Sequence, residues 1–183
     1  TAPEITEAII KRAEHGIFGY TIVPDEWADA YINWWDKRYG LKMERDWLMF
    51  CTGVEVRRET LFSMVPSRVG SRATTMGVVP AISSVVRKLT TPAEKVVVQT
   101  PCYNIFFNSI YNNGRNIYPS PLKYDGLNYS IDFADLEEKL ADPQTTLMIL
   151  CNPQNPVGKI WDRETLAKIG ELAAKYHVTV LSD

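Results

Sequence analysis

The sequence is poor in the residues that build metal centres and redox pairs. It has two histidines, His15 and His177, far apart in the chain, and three cysteines, Cys51, Cys102 and Cys151, with no Cys-x-x-Cys pair. No metal site is expected from that set, and the cysteines read as small buried hydrophobes, two of them in or beside apolar strands. No apolar run approaches the ~20 residues that a membrane-spanning helix needs, and no signal peptide opens the chain. No membrane partner is therefore expected, and a cytoplasmic location is the default. Neither sign of charge is in excess: 20 basic against 22 acidic residues leave −2 at pH 7. That balance gives no electrostatic reason to expect nucleic acid as a partner. The glycine-rich signatures GxGxxG and GxxxxGK(S/T) are both missing, which removes the usual support for a dinucleotide or nucleoside-triphosphate site.

What is present is enough for a packed core. With 183 residues, 45% hydrophobic and 23% charged, the composition is that of a globular chain rather than a disordered one. Residues 1–15 read as a helix in which Thr1 and Glu4 have capping-box spacing and Pro3 suits the first turn. PDEWADAYINWWDKRYG reads as a second helix, capped by Asp25 and stopped by Gly40, with Ala28, Tyr31, Ile32 and Trp35 on one face. Trp34 and Trp35 could form a ligand-stacking surface, but aromatics at helical spacing read first as core or interface. Both chain ends look like cuts. A helix begins with nothing before it to pack against, and VTVLSD (178–183) is a strand without a successor.

From residue 47 the pattern changes to a regular alternation. WLMFCT (47–52), KVVVQT (95–100), TLMILC (146–151) and VTVLSD are short, nearly continuous apolar runs, as strands covered on both faces should be. Helical patterns separate them at 78–89, 103–114, 132–142 and 162–177, with Asp132 and Asp162 at N-cap positions and Gly114 at a stop. RNIYPSP (115–121) could add a short strand. The expected fold is α/β, three layers with helices on both faces of a mostly parallel sheet. Residues 1–46 form a helical segment leading into the α/β domain of 47–183. Residues 54–77, with four arginines and no periodicity, read as an insertion between a strand and its helix.

Ligands of such sheets bind at the carboxyl ends of the strands, and here those ends carry chemically marked residues. The strand–glycine–helix junction at Gly77, Val78 and Val79 offers free N–H groups and a positive dipole end to a phosphate. Tyr103 follows Thr100-Pro101 at a strand tip, where its ring could lie flat on a planar ligand or pack the helix start. Asn155 sits between Gln154 and Pro156 in CNPQNPVG, where its amide could donate to a ligand. One Asn-Pro step makes an ordinary turn; two in succession before Val157-Gly158 are more specific. Asp183 ends the last strand, and a partly buried carboxylate there requires a cationic partner, such as a protonated heterocyclic nitrogen.

Together these residues resemble the fold-type I pyridoxal-phosphate enzymes, the class I/II aminotransferase superfamily. HGIFGY, the Trp-Trp helix, VVPAISSVVRKLT, QTPCYNIF, NPQNPVGKIW and the final Ser-Asp are similar to the bacterial cystathionine β-lyase or cysteine-S-conjugate β-lyase subgroup. The resemblance covers the chain apart from residues 54–77. It implies pyridoxal 5'-phosphate as cofactor, with Asp183 keeping the pyridine nitrogen protonated, Tyr103 stacked on the ring and Asn155 bonded to the 3-oxygen. Val78 and Val79 would hold the phosphate through their backbone. Tyr20 in HGIFGY would reach the phosphate of a neighbouring subunit, which implies a homodimer.

The activity implied is α,β-elimination from cystathionine or a cysteine S-conjugate, a small amino-acid substrate, giving thiol, pyruvate and ammonia. An aminotransferase using the same site is the nearest alternative. From another class, the chain could be a non-catalytic fragment retaining the fold. The 54–77 segment interrupts the phosphate loop, and a surviving fold with a weakened phosphate site is expected, because loop closure costs little extra with length.

The family's Schiff-base lysine lies beyond the strand that would follow Asp183, so no catalytic residue is assigned among 1–183. This polypeptide alone is expected to release no pyruvate from cystathionine above a protein-free control. Pyruvate release by purified 1–183 would contradict that expectation.

Overall fold

A computed structural model describes residues 1–18, 23–51, 72–75 and 78–183. Tyr20, Gly77 and most of the 54–77 segment lie outside the described residues; within that segment Arg72–Thr75 forms a strand, β2. The chain divides into two compact units, the first covering Thr1–Phe50 and the main body of the second covering Ala73–Asp183.

The first unit holds helices α1 (Pro3–His15) and α2 (Asp25–Tyr39), a single 3-10 turn at Arg45–Trp47, and all but the last residue of β1 (Leu48–Cys51). The capping box expected of Thr1 and Glu4 is not formed. Ala2 is the N-cap and makes no side-chain hydrogen bond. Pro3 removes one orphan N–H and presets φ, so less remains for a cap to satisfy. Asp25 is likewise not a cap but the first residue of α2, preceded by Pro24. Its carboxylate pairs instead with Arg45, which also approaches Asp29 at 3.5 Å. Gly40 stops α2 as expected: at φ 63° it adopts the left-handed geometry that side chains resist, and its N–H closes on Asp36 O at 2.8 Å. The aromatics of α2 pack on each other, Trp27 on Tyr31 at 6.0 Å and Trp35 on Tyr39 at 5.1 Å between ring centroids.

The second unit is built on a four-stranded parallel sheet in the order β4-β3-β7-β8. These strands are β3 (Lys95–Thr100), β4 (Asn116–Pro121), β7 (Thr145–Leu150) and β8 (Thr179–Ser182). Alternation along each strand divides the core in two. Val96, Val98, Leu147, Ile149 and Cys151 point to one face, where Ile82 and Val86 of α3 (Val78–Leu89) and Phe106 and Ile110 of α4 (Asn104–Tyr111) cover them. Val97, Met148 and Leu150 point to the other, under Leu136 and Leu140 of α5 (Phe133–Leu140) and Ile169 and Ala173 of α6 (Arg163–Lys175). This is the three-layer α/β/α arrangement expected of runs apolar on both faces. Asp132 caps α5 and Asp162 caps α6, the latter accepting from Thr165 N at 2.7 Å. A small hairpin, β5 (Lys123–Tyr124) with β6 (Tyr129–Ser130), was not anticipated. Asp125 builds its turn by accepting from the backbone of Leu127 and Asn128.

β4 does form, as an edge strand, in spite of two prolines. Asn116 N donates to Glu94 O and Leu122 N to Thr100 O, both at 2.8 Å. By alternation the even-numbered residues of β4 face β3, so Pro119 and Pro121 fall where an N–H would point outward.

The carboxyl end of α3 is fixed by Arg115, which is 7% exposed. Its Nε donates to Thr90 Oγ1 at 2.8 Å, one terminal nitrogen to Arg87 O at 3.0 Å, and further bonds reach Thr90 O and Asn113 O. The guanidinium thus satisfies carbonyls that a helix end leaves orphaned, and it meets the negative end of the dipole. Arg115→Met keeps the apolar stem but removes every donor. It should lower stability by about 2 kcal/mol, the scale of hydrogen bonds to a charged group, as read from urea unfolding followed by far-UV circular dichroism.

Candidate active site

Because β3, β7 and β8 are neighbouring parallel strands, their carboxyl ends share one edge of the sheet. Three of the expected site residues lie there. Tyr103 stands two residues past the Thr100-Pro101 step that ends β3, as the N-cap of α4. Asn155 lies in the loop that follows β7, and Asp183 follows the last residue of β8. The peptides before Pro101, Pro153 and Pro156 are cis.

Helix α3 brings the fourth element. It packs on β7 and β8 and leads through a short connection into the amino end of β3. Twelve residues of helix span about 18 Å, close to the length of a six-residue strand. Its first turn, Val78 and Val79, therefore reaches back to the carboxyl edge. No acidic residue occupies that turn. Pro80 has no N–H, so among the described residues Val78 and Val79 supply the free donors of the helix start. Both valines are exposed, Val78 at 53% and Val79 at 39%, and the N–H groups beside them are available to an anion.

Asp183 is held through its main chain. Its N–H donates to Leu150 O at 2.8 Å, and its carbonyl accepts from Asn152 N at 3.0 Å, so the ladder between β7 and β8 runs one residue past the strand. The side chain is exposed among the described residues. No ion pair engages it among the described residues. Hydrated there, the carboxylate avoids the desolvation cost of burial.

Cys151 joins Asn155 to Asp183. Its sulfur lies 3.9 Å from Asp183 Oδ2 and 3.3 Å from Pro153 O. Burial pushes this thiol above its ordinary range, and the Asp183 carboxylate adds to the rise, while the backbone N–H of Asn155 acts the other way. One sulfur therefore feels both site residues, and it stays a neutral thiol beside the carboxylate. Cys102 is pushed up to about 11, chiefly by burial and secondarily by Cys151. Neither group has the character of a nucleophile at neutral pH.

The Tyr103 ring is 43% exposed and stands edge-on to Phe106, with centroids 6.0 Å apart and planes at 86°. Phe106 restrains the ring on one side, and part of Tyr103 stays open to a ligand. Gln154, only 1% exposed, donates from Nε2 to Pro101 O at 2.9 Å. Sequence reasoning passed over both Cys151 and Gln154. The available signal was their place inside CNPQNPVG, flanking the residues that were chosen. Tyr20 lies outside the described residues. No cluster of three metal-ligating side chains occurs among the described residues, and no helix there is long and apolar enough to cross a membrane.

The edge thus offers an exposed carboxylate, an exposed amide, a partly open aromatic ring and a helix start with no acidic residue in its first turn. That set fits a flat, cationic heterocycle bearing a phosphate. Cystathionine beta-lyase PatB of Bacillus subtilis is 42% identical over 183 residues, all of this chain and 41% of that protein. Cystalysin of Treponema denticola, whose crystal structure contains pyridoxal 5'-phosphate, superposes with a TM-score of 0.82 at 29% identity over 99% of this chain and 40% of its own. A pyridoxal-phosphate-bound putative aminotransferase from Clostridium difficile gives the same TM-score at 33% identity, over 100% of this chain and 41% of that one. The chain spans about two fifths of the length of the relatives it matches. The model of aminotransferase class I and II matches residues 1–183 in full, and the chain belongs to that family.

Proposed function

We propose that this chain forms part of a pyridoxal-phosphate-dependent C–S β-lyase acting on cystathionine or a cysteine S-conjugate. The observation that carries the reading is the 42% identity to a cystathionine beta-lyase along the whole chain. The carboxyl-edge geometry of Tyr103, Asn155 and Asp183 supports it.

When bound, pyridoxal phosphate supplies an electron sink for the negative charge that develops at the amino acid's α-carbon. The chain's own residues would make that sink effective. Asp183 would hold a proton on the ring nitrogen, since a carboxylate beside it favours the charged form. Asn155 would donate its amide to the 3-oxygen, and Tyr103 would cover one ring face and exclude water from it. The N–H groups of Val78 and Val79 would anchor the phosphate at the start of α3. The overall reaction of this reading converts the cysteine conjugate and water to thiol, pyruvate and ammonia.

A homodimer in which Tyr20 reaches the partner's phosphate belongs to the same reading, as does a cytoplasmic location. An imine-forming lysine outside residues 1–183 is also part of it, as is a 54–77 insertion ahead of the phosphate-binding helix. Similarity to a putative aminotransferase favours a second reading, amino-group transfer at the same site. The two are separated by product: a lyase releases pyruvate and thiol from cystathionine with no keto acid added, whereas a transaminase requires one.

In the full-length protein, Asp183→Asn should lower pyruvate release by about two orders of magnitude, the scale of losing one stabiliser of developing charge. Turnover near that of the parent would remove Asp183 from this role.

A further inference from the structure

We infer that Gln154 is a positioning residue that sets the ring of Tyr103 against Asn155, so that the two walls of the site move as one. The inference rests on the cofactor reading above but adds a residue and a coupling to it.

Gln154 occupies a place where an amide is expensive. It is 1% exposed, and among the described residues its Oε1 has no hydrogen-bond partner. Its Nε2 makes one contact, to Pro101 O at 2.9 Å. A half-satisfied buried amide contributes little net stability, and an apolar side chain of the same shape would serve the core as well. What the amide supplies is a link.

Both ends of that link are fixed. The backbone of Gln154 is locked into its own turn, donating to Lys159 O and accepting from Gly158 N, each at 2.7 Å. Asn155 is the next residue, so the turn sets where its amide starts. At the other end, Pro101 O lies two residues before Tyr103, in the segment that carries β3 into α4. Phe106 restrains the ring from the core side. Among the described residues, no other hydrogen bond joins the Pro101–Tyr103 segment to the Asn152–Gly158 loop. The two walls would then be held only through their separate strands. A ligand gripped on its face by one wall and on its edge by the other is sensitive to small relative shifts.

The test uses the full-length protein carrying Gln154→Met, alone and with Tyr103→Ala. Pyridoxal phosphate affinity is read by titration, and ring orientation by the induced circular dichroism of the bound cofactor. Gln154→Met should weaken binding about tenfold, the loss expected of one buried hydrogen bond, and should reduce the induced signal. In the Tyr103→Ala background the same change should cost less than about twofold, because the partner it acts through is gone.

Amide hydrogen exchange on the cofactor-free protein supplies a second arm. Gln154→Met should speed exchange at Cys102–Ile105 while leaving the interior of β3 protected. Equal losses in both Tyr103 backgrounds, unchanged affinity in Gln154→Met, or unchanged exchange at 102–105 would each overturn the inference. Failure of the parent to bind pyridoxal phosphate would instead count against the cofactor reading, and the exchange arm would still decide the coupling. If Gln154→Met does not fold, Gln154→Asn keeps the amide but withdraws it by one methylene. The same affinity and exchange changes are expected of it, and their absence overturns the inference.

Discussion

Parallel pairing governs this molecule more than any single contact. Strands running the same way cannot be joined by tight turns, so each must return through a crossover, and helices then cover both faces. The valines of β3 and the Leu147–Leu150 run of β7 follow from that requirement, since consecutive side chains enter opposite cores. The same directionality delivers every strand's carboxyl end to one edge. Chemistry can gather there without any strand having been placed for it. Tyr103, Asn155 and Asp183 are distant in sequence because each follows a separate strand.

The parts of the fold that rest on repeated pattern were legible in the sequence. β3 and α3 were read to the residue, and α5 and α6 began at the aspartates expected to cap them. Features that hang on one hydrogen bond were not. Thr1 and Asp25 had the residue types and spacings of caps, yet Pro3 and Arg45 changed what each helix start required. The β5–β6 hairpin is too short for periodicity, and only Asp125-Gly126 marked it.

The site divides the same way. Its candidate residues could be nominated because strand tips and Asn-Pro steps are visible in a sequence. Gln154 was not among those candidates. Its side chain acts across 53 residues of sequence separation, and no local pattern encodes that reach. Cys151 was read as a core thiol, which it is, but its sulfur also lies near Pro153 O and the Asp183 carboxylate.

The prolines of β4 bear on how copies of this chain meet one another. An outer strand with free N–H groups is a template on which a second polypeptide can continue the sheet. Positions 119 and 121 offer none outward, so a strand approaching that flank would find acceptors but lack two consecutive donors. Sheet extension is thereby discouraged on the β4 flank. Self-association through runaway strand pairing is checked there without a charged side chain, by ring closure on the backbone nitrogen itself.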